Sequence, residues 1–213
     1  MIELINVSKT FGHTEVLHDI SIVFEPGKIY GLSGRNGSGK TMLMRMILGF
    51  VRPTSGTVKV DGKIIGKDIE LAQNIGAIIE SPGFLPEFSG YKNLKLLAMI
   101  RGVIGEDEIR GAMKLVGLDP DSRKHVGKYS LGMRQRLGIA QALMENPPIL
   151  LLDEPLNGLD REGVREMRKV LLRQKENGRL LIVASHSKED TELLCDEVWH
   201  LDQGHIIGHE TKK

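Results

Sequence analysis

Eight consecutive residues, Gly34-Arg35-Asn36-Gly37-Ser38-Gly39-Lys40-Thr41, fill every fixed position of G-x-x-x-x-G-K-[ST], the pattern of a phosphate-binding loop. The residue types account for the pattern. Gly34, Gly37 and Gly39 permit positive φ, so the backbone curls its N–H groups inward on an anion. Lys40 has the reach to touch the outer phosphates, and the Thr41 hydroxyl is placed to hold Mg²⁺. A helix leaving the loop through Met42 adds its orphan N–H groups and the positive end of its dipole. The run 34–42, with Arg35, Asn36 and Ser38 among its members, is therefore a candidate nucleoside triphosphate site.

Two carboxylates and a histidine are candidates for the other half of that site. Asp153 and Glu154 follow the apolar run Ile149-Leu150-Leu151-Leu152, at the strand end where open α/β sheets place their ligands. Asp153 there holds Mg²⁺ opposite Thr41, directly or through water. Side chains alternate along a strand, so Glu154 points elsewhere and suits the base that orients and deprotonates an attacking water. His186 takes the same place after the run 180–184, where it can hydrogen-bond a γ-phosphate. An ordinary acidic strand end and a helix-capping neighbour are the plainer alternatives, and the upstream phosphate loop argues against both.

These residues require a sheet with its strand ends on one edge. Strand patterns at 28–33, 75–79, 149–152 and 180–184 alternate with helical patterns, including 42–48 and 161–176, which implies an α/β core with a parallel sheet. Short strand patterns at 2–7, 15–17 and 20–24 precede the turn Glu25-Pro26-Gly27, and 57–60 runs into a hairpin at Asp61-Gly62. From about Gly90 to Glu145 apolar residues fall at helical spacing (Leu94, Leu97, Ala98; Ile109, Met113, Val116; Leu137, Ala140), a helical insertion closed by Pro147-Pro148. A further helix and strands at 198–199 and 205–207 finish the chain, and only the Lys212-Lys213 tail reads as loose.

The chain has 213 residues, enough for one domain with a sizeable insertion, and a formal net charge of +1, which gives no reason to expect nucleic acid as a partner. Its single cysteine, Cys195, lies in an apolar helical stretch and reads as a buried structural thiol. No run approaches the ~18 apolar residues of a membrane span, and the start of the chain lacks the marks of a signal peptide, so a soluble chain is expected. His200, His205 and His209 fall in a strand-and-turn pattern and read as a solvated edge rather than a metal site. The charged helix at 161–176 likewise has a solvated face.

An ordered series of motifs now stands along the chain: the phosphate loop at 34–41, Tyr129-Ser130-Leu131-Gly132-Met133-Arg134-Gln135-Arg136, Leu150-Leu151-Leu152-Asp153-Glu154-Pro155, Asn157-Gly158-Leu159-Asp160, and His186. In that order it resembles the nucleotide-binding subunit of ATP-binding cassette (ABC) transporters over essentially the whole length. The resemblance implies a P-loop NTPase (RecA-like) core with an N-terminal antiparallel β-subdomain and an inserted α-helical subdomain. It implies a single domain, 1–213, divided into a core lobe of 1–79 and 146–213 and a helical subdomain of 80–145. It also implies a head-to-tail homodimer or heterodimer, with ATP and Mg²⁺ between the phosphate loop of one subunit and the signature of the other. Ser130 would cap a helix running to Glu145 whose N-terminus, with Gly132, faces a γ-phosphate. Asp160 belongs to the D-loop, and Phe11 falls where the family stacks an aromatic ring on adenine.

Two departures qualify the match. The family usually reads Leu-Ser-Gly-Gly-Gln where this chain reads Tyr129-Ser130-Leu131-Gly132-Met133. The family's glutamine at the core–helical junction, which contacts nucleotide and Mg²⁺, aligns with Glu80, whose carboxylate would bind the metal more directly. Both departures resemble a subgroup of bacterial exporter subunits linked to lantibiotic, bacitracin-like and other antimicrobial peptides. The function implied is an ATPase at the cytoplasmic face of the cell membrane that drives a separate, membrane-embedded permease, with contact through residues 80–89. The competing expectations are a soluble ABC ATPase acting on ribosomes or DNA, and a regulatory module that binds ATP with little hydrolysis.

Overall fold

The structure, a computed structural model, describes residues 1–80 and 82–212. Strand β1 (Ile2–Phe11) turns into β2 (Thr14–Phe24), and β3 (Ile29–Ser33) leads through the phosphate loop into α1 (Lys40–Leu48). Strand β4 (Ser55–Val60) turns at Asp61 and Gly62, both at positive φ, into β5 (Lys63–Ile64), as the hairpin pattern predicts. After β6 (Ile75–Ile78) come α2 (Gly90–Arg101), α3 (Glu106–Leu115), a 3₁₀ turn (Val126–Lys128) and α4 (Leu131–Leu143). The chain then alternates through β7 (Ile149–Asp153), α5 (Arg161–Glu176), β8 (Leu180–Ser185), α6 (Lys188–Leu194), β9 (Glu197–Asp202) and β10 (His205–Thr211).

These strands make two sheets. An antiparallel one has the order β2-β1-β4-β5, and a six-stranded one has the order β10-β9-β3-β8-β7-β6. In the larger sheet β9, β3, β8, β7 and β6 are parallel, with β10 antiparallel at the edge. Every residue of β7 and β8 is buried, which explains why both read as unbroken apolar runs rather than alternations. One hydrophobic core joins the antiparallel sheet, α1 and one face of the parallel sheet. A second joins the opposite face to α4, α5 and the rest of the helical segment. Among the described residues no helix is long and apolar enough to cross a membrane.

The N-terminal strands are longer than their sequence pattern. β2 is one strand across 18–19, where the alternation breaks, because the β1–β2 ladder bulges instead of ending. Asn6 and Asp19 both take φ 48° at the bulge, and their side chains pair at 2.9 Å. The Ser8 hydroxyl accepts the Asp19 N–H at 2.9 Å. Helix α4 stops at Leu143, short of Glu145, and Asn146 at φ 54° leaves the helical direction. Lys212 is not loose: its N–H donates to the Asp196 carbonyl at 2.7 Å and its ammonium to that of Thr191 at 2.7 Å. Lys213 lies outside the described residues.

Cys195 sits one residue beyond α6, in extended conformation rather than in the helix, and is buried as expected. Its Sγ lies against Gly31, where a Cβ would come within 2.9 Å of it, and burial pushes the thiol up to about 12. Such a thiol is packing, not a nucleophile. On the β9–β10 ribbon His200 pairs with Glu210 and His209 with Glu197, each at 3.0 Å, while His205 stacks on His18.

Candidate functional site

Strand β3 is buried along Ile29–Leu32 and delivers the phosphate loop at its carboxyl end. Glycine is required there on steric grounds. Gly39 is the N-cap of α1 at φ 107°, and a Cβ on it would come within 2.6 Å of Leu17 Cδ2. At Gly34 a Cβ would come within 2.3 Å of the Leu201 carbonyl oxygen. Among the described residues no side chain caps α1, so its first N–H groups are left for an anion. Ser38 Oγ is buried and, among the described residues, has no hydrogen-bond partner. An orphan hydroxyl inside a ring of amides is what a phosphate oxygen would satisfy. The buried Lys40 ammonium donates to the carbonyls of Gly34 at 2.6 Å and Arg35 at 3.0 Å, which aims it across the loop.

The next wall comes from β7. Thr41 Oγ1 donates to Asp153 Oδ2 at 2.7 Å, so the two candidate Mg²⁺ ligands are already in contact. Burial pushes the Asp153 carboxyl above its ordinary range, with the charges of Glu154 and Glu80 adding to the effect; the Thr41 hydrogen bond and Lys40 oppose it. A carboxylate raised in this way is short of positive charge, and the donor set of hydroxyl and carboxylate oxygens fits a hard cation. Among the described residues no cluster of three His, Cys, Asp or Glu side chains is arranged to hold a metal unaided. Mg²⁺ at Thr41 and Asp153 would thus share its sphere with phosphate and water.

A test follows from the raised carboxyl. Between the unfolded and folded pKa values the folded chain holds the proton that the unfolded chain has lost. Stability therefore falls as pH climbs through the folded value and stays lower above it. Asp153→Asn removes that penalty while keeping an oxygen to accept from Thr41. It is expected to raise the nucleotide-free melting temperature by a few degrees at neutral pH and to flatten its fall on going up from about pH 4 to 8. The shift that Mg·ATP adds in the parent should shrink, because one of the two Mg²⁺ ligands has lost its charge while Lys40 and the loop amides remain. Melting curves with and without Mg·ATP check both halves, and a variant that melts lower at neutral pH without ligand would contradict the first.

Glu154 follows at φ 48°, a left-handed conformation that is costly for a side chain with a Cβ. Its N–H donates to the Ala184 carbonyl at 2.9 Å, and its carbonyl accepts from the Asn157 N–H at 3.2 Å and from Gln135 Nε2 at 3.1 Å. The carboxylate accepts the His186 N–H at 3.0 Å and lies 2.8 Å from His186 Nδ1. A left-handed turn, rather than strand alternation, thus sets the Glu154 carboxylate on His186.

A cleft of about 570 Å³ opens over these groups, lined by residues 36–42, Asp153, Glu154 and Glu80, and also by Val16, Arg45, Leu131, Gln135 and Asn157. Its size is that of a small-molecule site. His186 joins it through Glu154, and Gly34 and Arg35 through Lys40. Four candidates stand apart from it. Ser130 caps α4, accepting the Met133 N–H at 3.2 Å, with Gly132 against the Gly158 carbonyl. Asp160 caps α5, accepting the Gly163 N–H at 2.8 Å. Phe11 is exposed at the end of the first hairpin, with the Lys9 ammonium 4.6 Å over its ring, and the apolar residues that line the cleft are instead Val16, Met42 and Leu131. Glu80 does line the cleft, but its carboxylate is engaged by Arg45 at 2.6 Å.

Val16 and Arg45 line the cleft without having been singled out by the sequence, and Gln135 and Asn157 stood within the signature and D-loop segments with no role assigned to them. Gln135 had a signal: it is four residues after Leu131, hence on the same face of α4.

Comparison with known proteins matches residues 17–157 to the family described as ABC transporter. An uncharacterized ABC transporter ATP-binding protein of Bacillus subtilis, YybJ, is 44% identical over 210 residues, covering 99% of this chain and 96% of the relative. The bacitracin transport ATP-binding protein BcrA of Enterococcus faecalis is 43% identical over 209 residues, covering 97% and 68% respectively. Among solved structures, a dimeric bacterial ABC transporter cassette superposes with a TM-score of 0.89 at 24% identity, over 100% of this chain and 99% of that one, a likeness of fold.

Proposed function

The chain belongs to the ABC transporter family, and we propose that it is the ATP-binding, ATP-hydrolysing subunit of an exporter for antimicrobial peptides or drugs. The observation that carries the ATPase reading is convergence. The phosphate loop, the Thr41–Asp153 pair and the Glu154–His186 pair, from three separate strand ends, meet at one cleft. Lys40 and the loop amides bind the outer phosphates and stabilise charge on the transferring group. Thr41 and Asp153 hold Mg²⁺, which when bound supplies further charge neutralisation. Glu154 takes the proton of the attacking water, and His186 fixes the carboxylate that does so.

Dimerisation around ATP belongs to the same reading. Ser130 and Gly132 stand outside their own chain's cleft, so a second copy facing it would bring a helix N-terminus to the γ-phosphate. We read 80–145 as a helical subdomain carried on a lobe of 1–79 and 146–213, and the junction 80–89, of which Ser81 lies outside the described residues, as the surface toward a permease. The subunit would then sit peripherally on the cytoplasmic face of the membrane. Export of peptide antibiotics is supported by the bacitracin transport relative.

Co-purification tests the transporter reading. A tagged Glu154→Gln variant is solubilised from native membranes with ATP in mild detergent, and its partners are identified. Recovery of a polytopic membrane protein is expected. Recovery of ribosomes or DNA without one would overturn the transporter reading and favour a soluble ATPase.

A further inference from the structure

We infer that Gln135 is a positioning residue for Glu154, through which the helical segment sets the geometry of the catalytic base; this rests on the ATPase reading above. Glu154 is held in its left-handed conformation by three neighbours. Two belong to its immediate surroundings: the Ala184 carbonyl on β8 and the Asn157 N–H in the turn that follows. The third, the Gln135 side-chain amide, comes from α4, nineteen positions earlier. It is the contact of the three that changes when α4 moves relative to β7.

The same end of α4 has a second hold on that turn. Leu131 lies over Gly158, filling the space where a Cβ would come within 2.4 Å of its Cδ2. The two side chains are one helical turn apart on a single face. Any rotation of α4 therefore pulls on the 154–158 segment at both ends. A backbone conformation that is unfavourable by itself persists only while its surroundings impose it. Withdrawal of the Gln135 amide frees the Glu154 peptide to relax, and its carboxylate leaves the position from which it meets the attacking water. Hydrolysis thus depends on where α4 stands, whereas the phosphate loop, to which the Gln135 side chain makes no hydrogen bond among the described residues, goes on binding nucleotide.

Gln135→Leu keeps bulk and removes the donor; Gln135→Lys restores a donor on a different frame. In Gln135→Leu, kcat is expected to fall about tenfold with the KM for ATP unchanged, a loss within the range for a misplaced catalytic group. Gln135→Lys should recover most of it. Amide exchange at Glu154, read without turnover, should quicken in the leucine variant and return in the lysine variant. A raised KM at constant kcat would make Gln135 a nucleotide ligand and overturn the proposal. Equal losses in both variants with lowered melting temperatures would reduce it to packing. Unchanged exchange at Glu154 would also overturn it, even in a chain without ATPase activity, an outcome that would by itself count only against the ATPase reading.

Discussion

Glu154→Gln is expected to bind ATP as the parent chain does and to hydrolyse it at less than about a hundredth of the parent rate, since a positioned general base contributes roughly 10²–10⁴-fold. The substitution is nearly isosteric. The features that place this residue, its positive φ, its N–H bond to Ala184 and its carbonyl bonds to Asn157 and Gln135, are all backbone contacts that the change leaves in place. The remaining side-chain oxygen still accepts the His186 N–H. What is lost is the capacity to take a proton. Loss of a negative charge beside Asp153 and Glu80 in one cleft also removes repulsion from a triphosphate. ATP should therefore be retained, and with hydrolysis blocked the ATP-bound dimer should accumulate.

Steady-state ATPase assays and size-exclusion chromatography with ATP check the two consequences. Turnover within tenfold of the parent would remove Glu154 from the base role. A parent chain that binds ATP with no turnover to lose would instead favour the regulatory-module reading, to which Leu131 and Met133 at the signature lend what support it has.

Legibility in the sequence follows the range of the forces. The phosphate loop is local in its pattern: glycines that take positive φ, with a lysine and a threonine at fixed spacing, stand where that spacing puts them. The approach of Leu17 and Leu201, which also excludes a Cβ at Gly39 and Gly34, left no mark in the loop's own sequence. Strands β7 and β8 are buried on both faces, so their apolar runs had no second interpretation. Helix α5 was equally plain, starting one residue after Asp160, the type of residue that caps a helix. The first hairpin was less so, because Asn6 and Asp19 satisfy each other across the ladder and let two broken patterns run on as continuous strands.

Contacts between distant segments left almost no trace. Arg45 and Glu80 are thirty-five positions apart, and nothing in either neighbourhood announces an ion pair. Glu80 aligned with a metal-contacting glutamine, yet a guanidinium at 2.6 Å now competes for its carboxylate. Phe11 shows the opposite difficulty. A lone aromatic carries no periodicity, and its ring lies exposed under Lys9 rather than along the cleft. Ser130 and Asp160 are helix caps that do not line the cleft of their own chain, so nothing within one chain ties either to nucleotide.

Lys40→Ala is expected to lower ATP affinity by at least about 100-fold and to take hydrolysis to background, a larger effect on binding than any other single change in the loop. The cleft holds two cations, Lys40 and Arg45, against three carboxylates, Glu80, Asp153 and Glu154. Arg45 is committed to Glu80, whereas among the described residues Lys40 is bonded to backbone carbonyls and to no carboxylate. It is thus the cation free to answer a phosphate. Without it a polyanion would enter a site of net negative charge with the loop amides, the Ser38 hydroxyl and Mg²⁺ at Thr41 and Asp153 as its remaining partners. The loop itself should survive the change. Its shape is kept by Ser38 N–H to Arg35 and Gly204 N–H to Ser38, each at 3.1 Å, and by the contacts that exclude a Cβ at Gly34 and Gly39. Removing a buried ammonium costs two hydrogen bonds but also relieves its desolvation, so the nucleotide-free melting temperature should move little. Ligand then separates the two chains. At an ATP concentration of about 100 Kd the parent gains about 2.7 kcal/mol of stability by mass action, and the variant at the same concentration gains only a few tenths. Thermal melts with and without Mg·ATP, paired with calorimetric titration, measure that difference. Equal ATP-induced shifts in the two proteins would mean that the amides alone hold the phosphates and that Lys40 has another role.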